Sequence, residues 1–187
     1  TMSNITYISP AFVYNGVNSQ ISVADNTLIE PGTGDWTMEA WFANIAFQTG
    51  VILGKFSNGG NATDVSYSIR INGTGLLFAQ IGDGAGNYVN STNYQTAVNT
   101  WIQVTYVFKN SAKTLETFIN GTSIGSVSHT LSSIKNVTNP LYIGSYNGGE
   151  YSQWFNGAIG VVRLYNKALA STDVSTNFQA LRSKYGI

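Results

Sequence analysis

Twenty glycines and twenty asparagines cut this chain into short runs rich in Val, Ile, Tyr, Phe and Thr, and a chain so divided forms strands more readily than helices. The run TWIQVTYVF, residues 100–108, sets Ile102, Val104, Tyr106 and Phe108 on one face and Gln103 and Thr105 on the other, the period of two that a half-buried strand requires. In TLETFINGTSIGSVS, Asn120-Gly121 separates two such runs, and that pair readily takes the positive φ angles of a tight hairpin. VSYSIRINGTGLLFAQIG, residues 65–82, repeats the design around Asn72-Gly73, while WTMEAWF (36–42), VILGKF (51–56) and PLYIG (140–144) supply further strands. Only the tail differs. In LASTDVSTNFQALRSKYG, Val174, Phe178 and Leu181 recur at helical spacing, Ser171 stands where a cap belongs, and Arg182 and Lys184 lie near the negative dipole end before Gly186. Roughly eleven to thirteen strands and one short C-terminal helix make the expected fold all-β, a sandwich of two antiparallel sheets whose inner faces bury each other.

At 187 residues, with no linker, repeat or low-complexity tract, the chain is expected to form a single domain over residues 1–187. Nine basic residues balance nine acidic ones, so no long-range field steers the protein to polyanions, and neither nucleic acid nor an acidic membrane is an expected partner. Cysteine is absent, which removes disulfides and thiolate chemistry and leaves packing to hold the fold. The single histidine, His129 in SVSHTLSS, has no second histidine to chelate a metal and is expected on a strand surface. No apolar run approaches the roughly 18 residues that cross a bilayer, so membrane insertion is not expected. The start, TMSNITYISPAF, lacks the charged and apolar regions of a signal peptide. A leading Thr fits a complete small protein that has lost its initiator Met, and equally a chain trimmed after a cleaved leader.

Several stretches together resemble the laminin-G-like domains of the concanavalin A-like lectin and glucanase jelly rolls. They are YNGVNSQISVAD (14–25) before GDWTMEAWF (34–42), TWIQVTYVF with LETFINGTSIGS, and LYIGSYN with WFNGAIGVVRLYNKALASTDV. The last carries Phe155-x-Gly157-x-Ile159 followed by Val162-Arg163-x-Tyr165-Asn166-x-x-Leu169. The resemblance implies a two-sheet antiparallel jelly-roll sandwich, edge loops that often bind glycans, and frequently a structural calcium. The chain departs from the pattern at two positions. Where relatives commonly read Ile-Asp-Glu-Val-Arg it reads Ile159-Gly160-Val161-Val162-Arg163, and the usual Asp of Phe-Asp-Gly is Asn15. Calcium prefers several hard oxygens including carboxylates, so losing two donors weighs against it and no cofactor is expected.

The glucanase relatives cleave with carboxylates clustered on one strand, because glycoside hydrolysis needs a nucleophile and an acid held together. Here the four glutamates, Glu30, Glu39, Glu116 and Glu150, form no cluster, and Glu39 alone lies well inside a strand. His129 has no nucleophile-elbow motif beside it. The expectation is therefore no enzyme. GDGAGN, residues 82–87, lacks the lysine and following helix of a phosphate loop. Asp83 with Asn87, or Asp64 in GGNATD, is a weak alternative for calcium beside the plainer reading of Gly/Asn/Asp turn chemistry. The six Asn-x-Ser/Thr sequons are near what chance supplies in a chain this rich in Asn, Ser and Thr.

One constellation suggests binding. GSYNGGEYSQWFNG, residues 144–157, sets Tyr146, Tyr151 and Trp154 among Asn147, Glu150, Gln153 and glycines, and rings near water suit the apolar face of a sugar while amides and carboxylates take its hydroxyls. Asn87 and Tyr88, with Tyr94, lie in a similar polar setting in GDGAGNYVNSTNYQT, residues 82–96, and are expected at the same edge. Two other readings stay open: Trp154 and Phe155 cap the core at the start of a strand, or the rings form a protein contact. The sequence thus points to a non-catalytic, lectin-like adhesion or decoration module for a glycan or glycosylated surface. The expected setting is extracellular or a virion surface, of the kind seen in phage and other viral proteins. The alternative is a structural protein that joins copies of itself, or a virion shell, through its sandwich.

Overall fold

The computed structural model describes residues 1–57, 65–146 and 150–187, with Glu150 given by its backbone alone. The short runs pair, all antiparallel, into two sheets. In spatial order one sheet is β1 (Met2–Ser3), β4 (Gln20–Val23), β14 (Leu141–Ile143), β6 (Gly50–Phe56), β7 (Val65–Ile71), β8 (Leu76–Gly82) and β10 (Tyr94–Gln95), with β9 (Tyr88–Asn90) also on β8. The other runs β13 (Thr122–Ser128), β12 (Thr114–Ile119), β11 (Ile102–Lys109), β5 (Trp36–Asn44), β15 (Asn156–Tyr165), β3 (Ala11–Asn15) and β2 (Thr6–Ile8). The fold is the expected all-β sandwich of two antiparallel sheets. Among the described residues it has fifteen strands, more than the sequence suggests, because pieces as short as β1 and β10 carry no readable period.

Alternation places the core as expected. Ile102, Val104, Tyr106 and Phe108 of β11 pack inward with Trp36, Met38, Ala40 and Phe42 of β5 against Tyr67, Ile69, Leu77, Ala79 and Ile81 of the opposite sheet. Asn120 and Gly121 have φ of 50° and 77°, the paired left-handed values of a tight two-residue turn, and join β12 to β13. The turn at Asn72-Gly73 differs from the expected copy. It is a four-residue loop in which Asn72 Oδ1 accepts the N–H groups of Thr74 and Leu76, both at 2.9 Å, and the positive φ falls at Gly75.

The outer face of the central strands β5 and β11 of the seven-stranded sheet is also buried, which no period-two reading anticipates. The helix α1 (Ser171–Leu181) lies over it: Val174 packs with Val107, Phe118 and Leu169, while Phe178 and Tyr185 pack on Trp41. The Trp41 ring stacks on Phe178 at 5.8 Å and on Tyr185 at 4.9 Å. Leaving Trp41, Val107 or Phe118 in water would cost about 1.5–3 kcal/mol apiece, so the helix is integral to the sheet. Its cap is Ala170 rather than Ser171, and Asp173 Oδ2 accepts the Ala170 N–H at 3.3 Å. Glu39, fully buried beneath α1, accepts hydrogen bonds from Trp41 Nε1 (3.1 Å), Arg163 Nη1 (2.9 Å), Tyr165 Oη (3.3 Å) and Asn177 Nδ2 (2.9 Å).

A second buried charge closes one end of the sandwich. Lys55 is fully buried, and its Nζ meets Asp25 Oδ1 at 2.7 Å, Glu30 Oε1 at 2.7 Å and the carbonyls of Val137 at 2.5 Å and Asn139 at 2.8 Å. A buried ammonium is tolerable only when so paired, and the four oxygens tie β6 to the 25–30 connection and to the segment before β14. The Lys55 ammonium holds the Asp25 carboxyl below its usual range, whereas burial pushes the Glu30 carboxyl up. His129 is likewise inside rather than on a strand surface: it follows β13, is 7% exposed and stacks on Phe108 at 4.4 Å.

Replacing Lys55 by Met keeps the stem and removes the charge, leaving Glu30 buried without its counter-ion. The expected loss is about 3 kcal/mol, read as a lower urea midpoint at an unchanged slope. Burial, aided by Lys113, depresses the His129 pKa below its ordinary 6.5. Below pH 6.5 the unfolded chain therefore takes up a proton that the folded chain refuses until its lower value is reached. Stability is expected to fall as pH drops through that window, and this part of the fall should vanish in His129→Phe when thermal midpoints are compared between pH 7 and pH 5.

Candidate functional site

The two sheets differ in what covers their outer faces, and the eight-stranded one carries the candidate site. Because Ile69, Ile71, Leu77, Ala79 and Ile81 point into the core, the intervening Arg70, Phe78 and Gln80 project outward. Pairing sets Arg70 opposite Phe78 and Ser68 opposite Gln80, while β9 adds Asn90 opposite Gln80 and Tyr88 opposite Gly82. The segment before β15 folds onto this face. Its ends are pinned where Ser145 pairs with Trp154, Tyr146 N donates to Gln153 O at 3.1 Å and Phe155 N donates to Gly144 O at 2.9 Å.

Tyr146 is the floor of this segment rather than an accessible ring. It is 2% exposed, stacks on Phe56 at 4.0 Å and packs with Val51 and Val65. That corrects the expectation of Tyr146 as a binding ring near water, and the reason is tertiary: Phe56 and Val65 face outward and need a cover. Tyr151 is the exposed ring, 58% accessible, edge-on to Tyr146 at 5.6 Å. Its backbone sits at φ 58°, ψ 17°, followed by Ser152 at φ 51°, so two consecutive non-glycine residues occupy the left-handed region. Trp154 is half-buried at the foot of the segment, where its carbonyl accepts from Gln48 Nε2 at 2.9 Å. Asn147 lies outside the described residues, as do the Glu150 side chain and Asp64.

Arg70, missed in the sequence, is the polar centre. Its Nη1 donates to Gln80 Oε1 at 2.9 Å and its Nη2 to Gln153 Oε1 at 2.6 Å, and the guanidinium lies 5.6 Å from the Tyr146 ring centre and 6.0 Å from that of Phe78. The signal available was the alternation of VSYSIRI and LLFAQIG, which turns an arginine and a phenylalanine outward together. Tyr88, 48% exposed, stands on the same face, whereas Tyr94 packs against the core. Asn87 is exposed but engaged: its Nδ2 donates to Asp83 Oδ2 at 2.8 Å, and Asp83 Oδ1 accepts the N–H groups of Ala85 and Asn87. The Asn87 amide holds the Asp83 carboxyl below its usual range, and both side chains serve the β8–β9 turn.

A model of the concanavalin A-like lectin/glucanases superfamily matches residues 15–175. The chain belongs to that superfamily. Similar solved structures include the binding domain of Paraclostridial Mosquitocidal Protein 1, with TM-score 0.76, 18% identity and coverage of 96% of this chain and 46% of that one. The botulinum neurotoxin serotype G binding domain follows, with TM-score 0.74, 16% identity and coverage of 98% and 47%. A third is a botulinum neurotoxin type C structure whose cell entry is described as dependent on two ganglioside molecules, with TM-score 0.71, 16% identity and coverage of 97% and 45%. The chain spans a little under half the length of these structures, and the likeness is one of fold. No curated protein sequence matches the chain.

The calcium that resemblance to this superfamily implies does not fit the residues at the two departing positions. Asn15 Oδ1 already accepts the N–H groups of Val17, Asn18 and Ser19 at 2.9, 3.0 and 3.2 Å. Gly160 is the extra residue of a bulge between Ile159 and Val161, and a Cβ there would stand 2.2 Å from the Tyr185 hydroxyl. The bare backbone makes room for the C-terminal tyrosine over Trp41, which is why this position carries no side chain. Among the described residues, no three of His, Asp and Glu gather where a metal ion could be held.

Gly160→Asp is therefore expected to evict Tyr185 and lower the thermal midpoint by several degrees, and added calcium should not restore it. A calcium-dependent recovery would show that the position is a lost ligand after all.

Proposed function

We propose that the outer face of the eight-stranded sheet, beside residues 144–146 and 151–154, binds a glycan without cleaving it. The observation that supports this most is Tyr151, an exposed ring carried on a left-handed backbone beside the Arg70, Gln80 and Gln153 cluster. A non-glycine residue in that region costs of order 1 kcal/mol and tends to persist where the chain must aim a side chain. An exposed ring beside amides and a guanidinium matches the apolar face and flanking hydroxyls of a pyranose. In this reading Tyr151, Trp154 and Tyr88 offer rings, Asn87 contributes at the rim, and Tyr146 supports from below. Against catalysis stands Glu39, whose oxygens are occupied by four donors and covered by α1. A module of this kind works where glycans are displayed, outside a cell or on a particle such as a virion.

A second reading rests on a separate observation. β2 is an outermost strand, with Tyr7 59% and Ile8 61% exposed, and an uncovered apolar edge suits pairing between copies of the chain.

A broad glycan array probed with the wild type and Tyr151→Ala tests the first reading. At least one glycan is expected to lose about tenfold or more of its signal in the variant at an unchanged thermal midpoint, because the ring is exposed. A blank array for the wild type would refute it. Mass measurement in dilute solution, showing an oligomer that Ile8→Lys dissolves, would favour the second reading instead.

A further inference from the structure

Arg70 differs from the three cations that a carboxylate is seen to pair in how its charge is met. Lys55, Lys109 and Arg163 each face a carboxylate within 2.9 Å. Arg70, although half-buried, is held by two neutral amide oxygens, and no carboxylate among the described residues pairs with it. A guanidinium has five N–H donors, and the two amides take one each, so three are left without an acceptor among the described residues. Gln80 and Gln153 hold the fork from two sides, and the Tyr146 and Phe78 rings flank it. Such a group is pre-oriented and short of counter-charge. Burial pulls the Arg70 pKa below its usual value, in keeping with that shortfall.

We propose that the site selects an acidic sugar, whose carboxylate seats on the open edge of Arg70 while its ring lies against Tyr151. The proposal rests on the glycan reading above and adds the ligand class. A carboxylate matches the guanidinium fork with two parallel hydrogen bonds, which a hydroxyl does not, so charge as well as shape is recognised. The chain's zero net charge means that the preference arises locally at Arg70 and not from a general attraction to polyanions.

The test uses sugars that differ in one group: sialyllactose against lactose, and trigalacturonic acid against its methyl ester, titrated against the wild type, Arg70→Gln and Tyr151→Ala. In at least one pair the acidic member is expected to bind the wild type about tenfold or more tightly than its neutral counterpart. Arg70→Gln should erase that gap, and Tyr151→Ala should weaken both members alike. Equal binding of the acidic and neutral members, still weakened by Tyr151→Ala, would overturn the acidic preference and leave the glycan reading standing. Binding of neither member of either pair, together with a blank array, would overturn both. The wild-type comparison needs no variant, so a folding defect in Arg70→Gln does not blunt the test.

Discussion

A carboxylate with no access to water sits at the centre of the helix–sheet contact, and the form of this protein follows from how it is satisfied. Glu39 lies on the outer face of β5, where a buried charge would be prohibitive without donors. Two of its four donors, Arg163 and Tyr165, come from the neighbouring strand; Trp41 is two residues along the same strand, and Asn177 descends from α1. The helix thus completes a polar set as well as an apolar one, and burial with the Glu39 charge pushes the Tyr165 phenol up. Partial satisfaction of such a network would be worse than none, so sheet and helix are held as a unit.

Sealing that face gives the sandwich its asymmetry. The seven-stranded sheet is covered by the chain's own C-terminus, with Tyr185 reaching the gap left by Gly160. The eight-stranded sheet has the segment before β15 laid across it, and among the described residues that cover is partial: Tyr146 closes over Phe56 and Val65, while Arg70 and Phe78 stay half-open. A face covered in part, with a guanidinium held by neutral amides and a ring standing clear, is the surface to which the functional reading belongs.

Much of the architecture was legible because its determinants are local. Alternation in residues 100–108, the Asn120-Gly121 turn and the 174/178/181 spacing depend on neighbours in sequence, and strand, hairpin and helix form where they indicate. The Asn72-Gly73 turn departs because the Asn72 side chain captures two backbone N–H groups and lengthens the loop. Of the site, the loop and Tyr151 were visible as a cluster of rings among glycines. Arg70 and Gln80 were not, since their meeting with Gln153 joins segments about seventy to eighty residues apart.

By itself the sequence determined an all-β sandwich, its best hairpin, its single helix and the region where a ligand would be sought, because period and turn chemistry act over a few residues. Tertiary structure alone decided which of Tyr146 and Tyr151 is accessible. It also decided that Lys55, Glu39 and His129 lie inside, and that Tyr185 fills the space beside Gly160. Burial and charge pairing are settled by what a distant segment places alongside, and no local pattern encodes the neighbour across the fold.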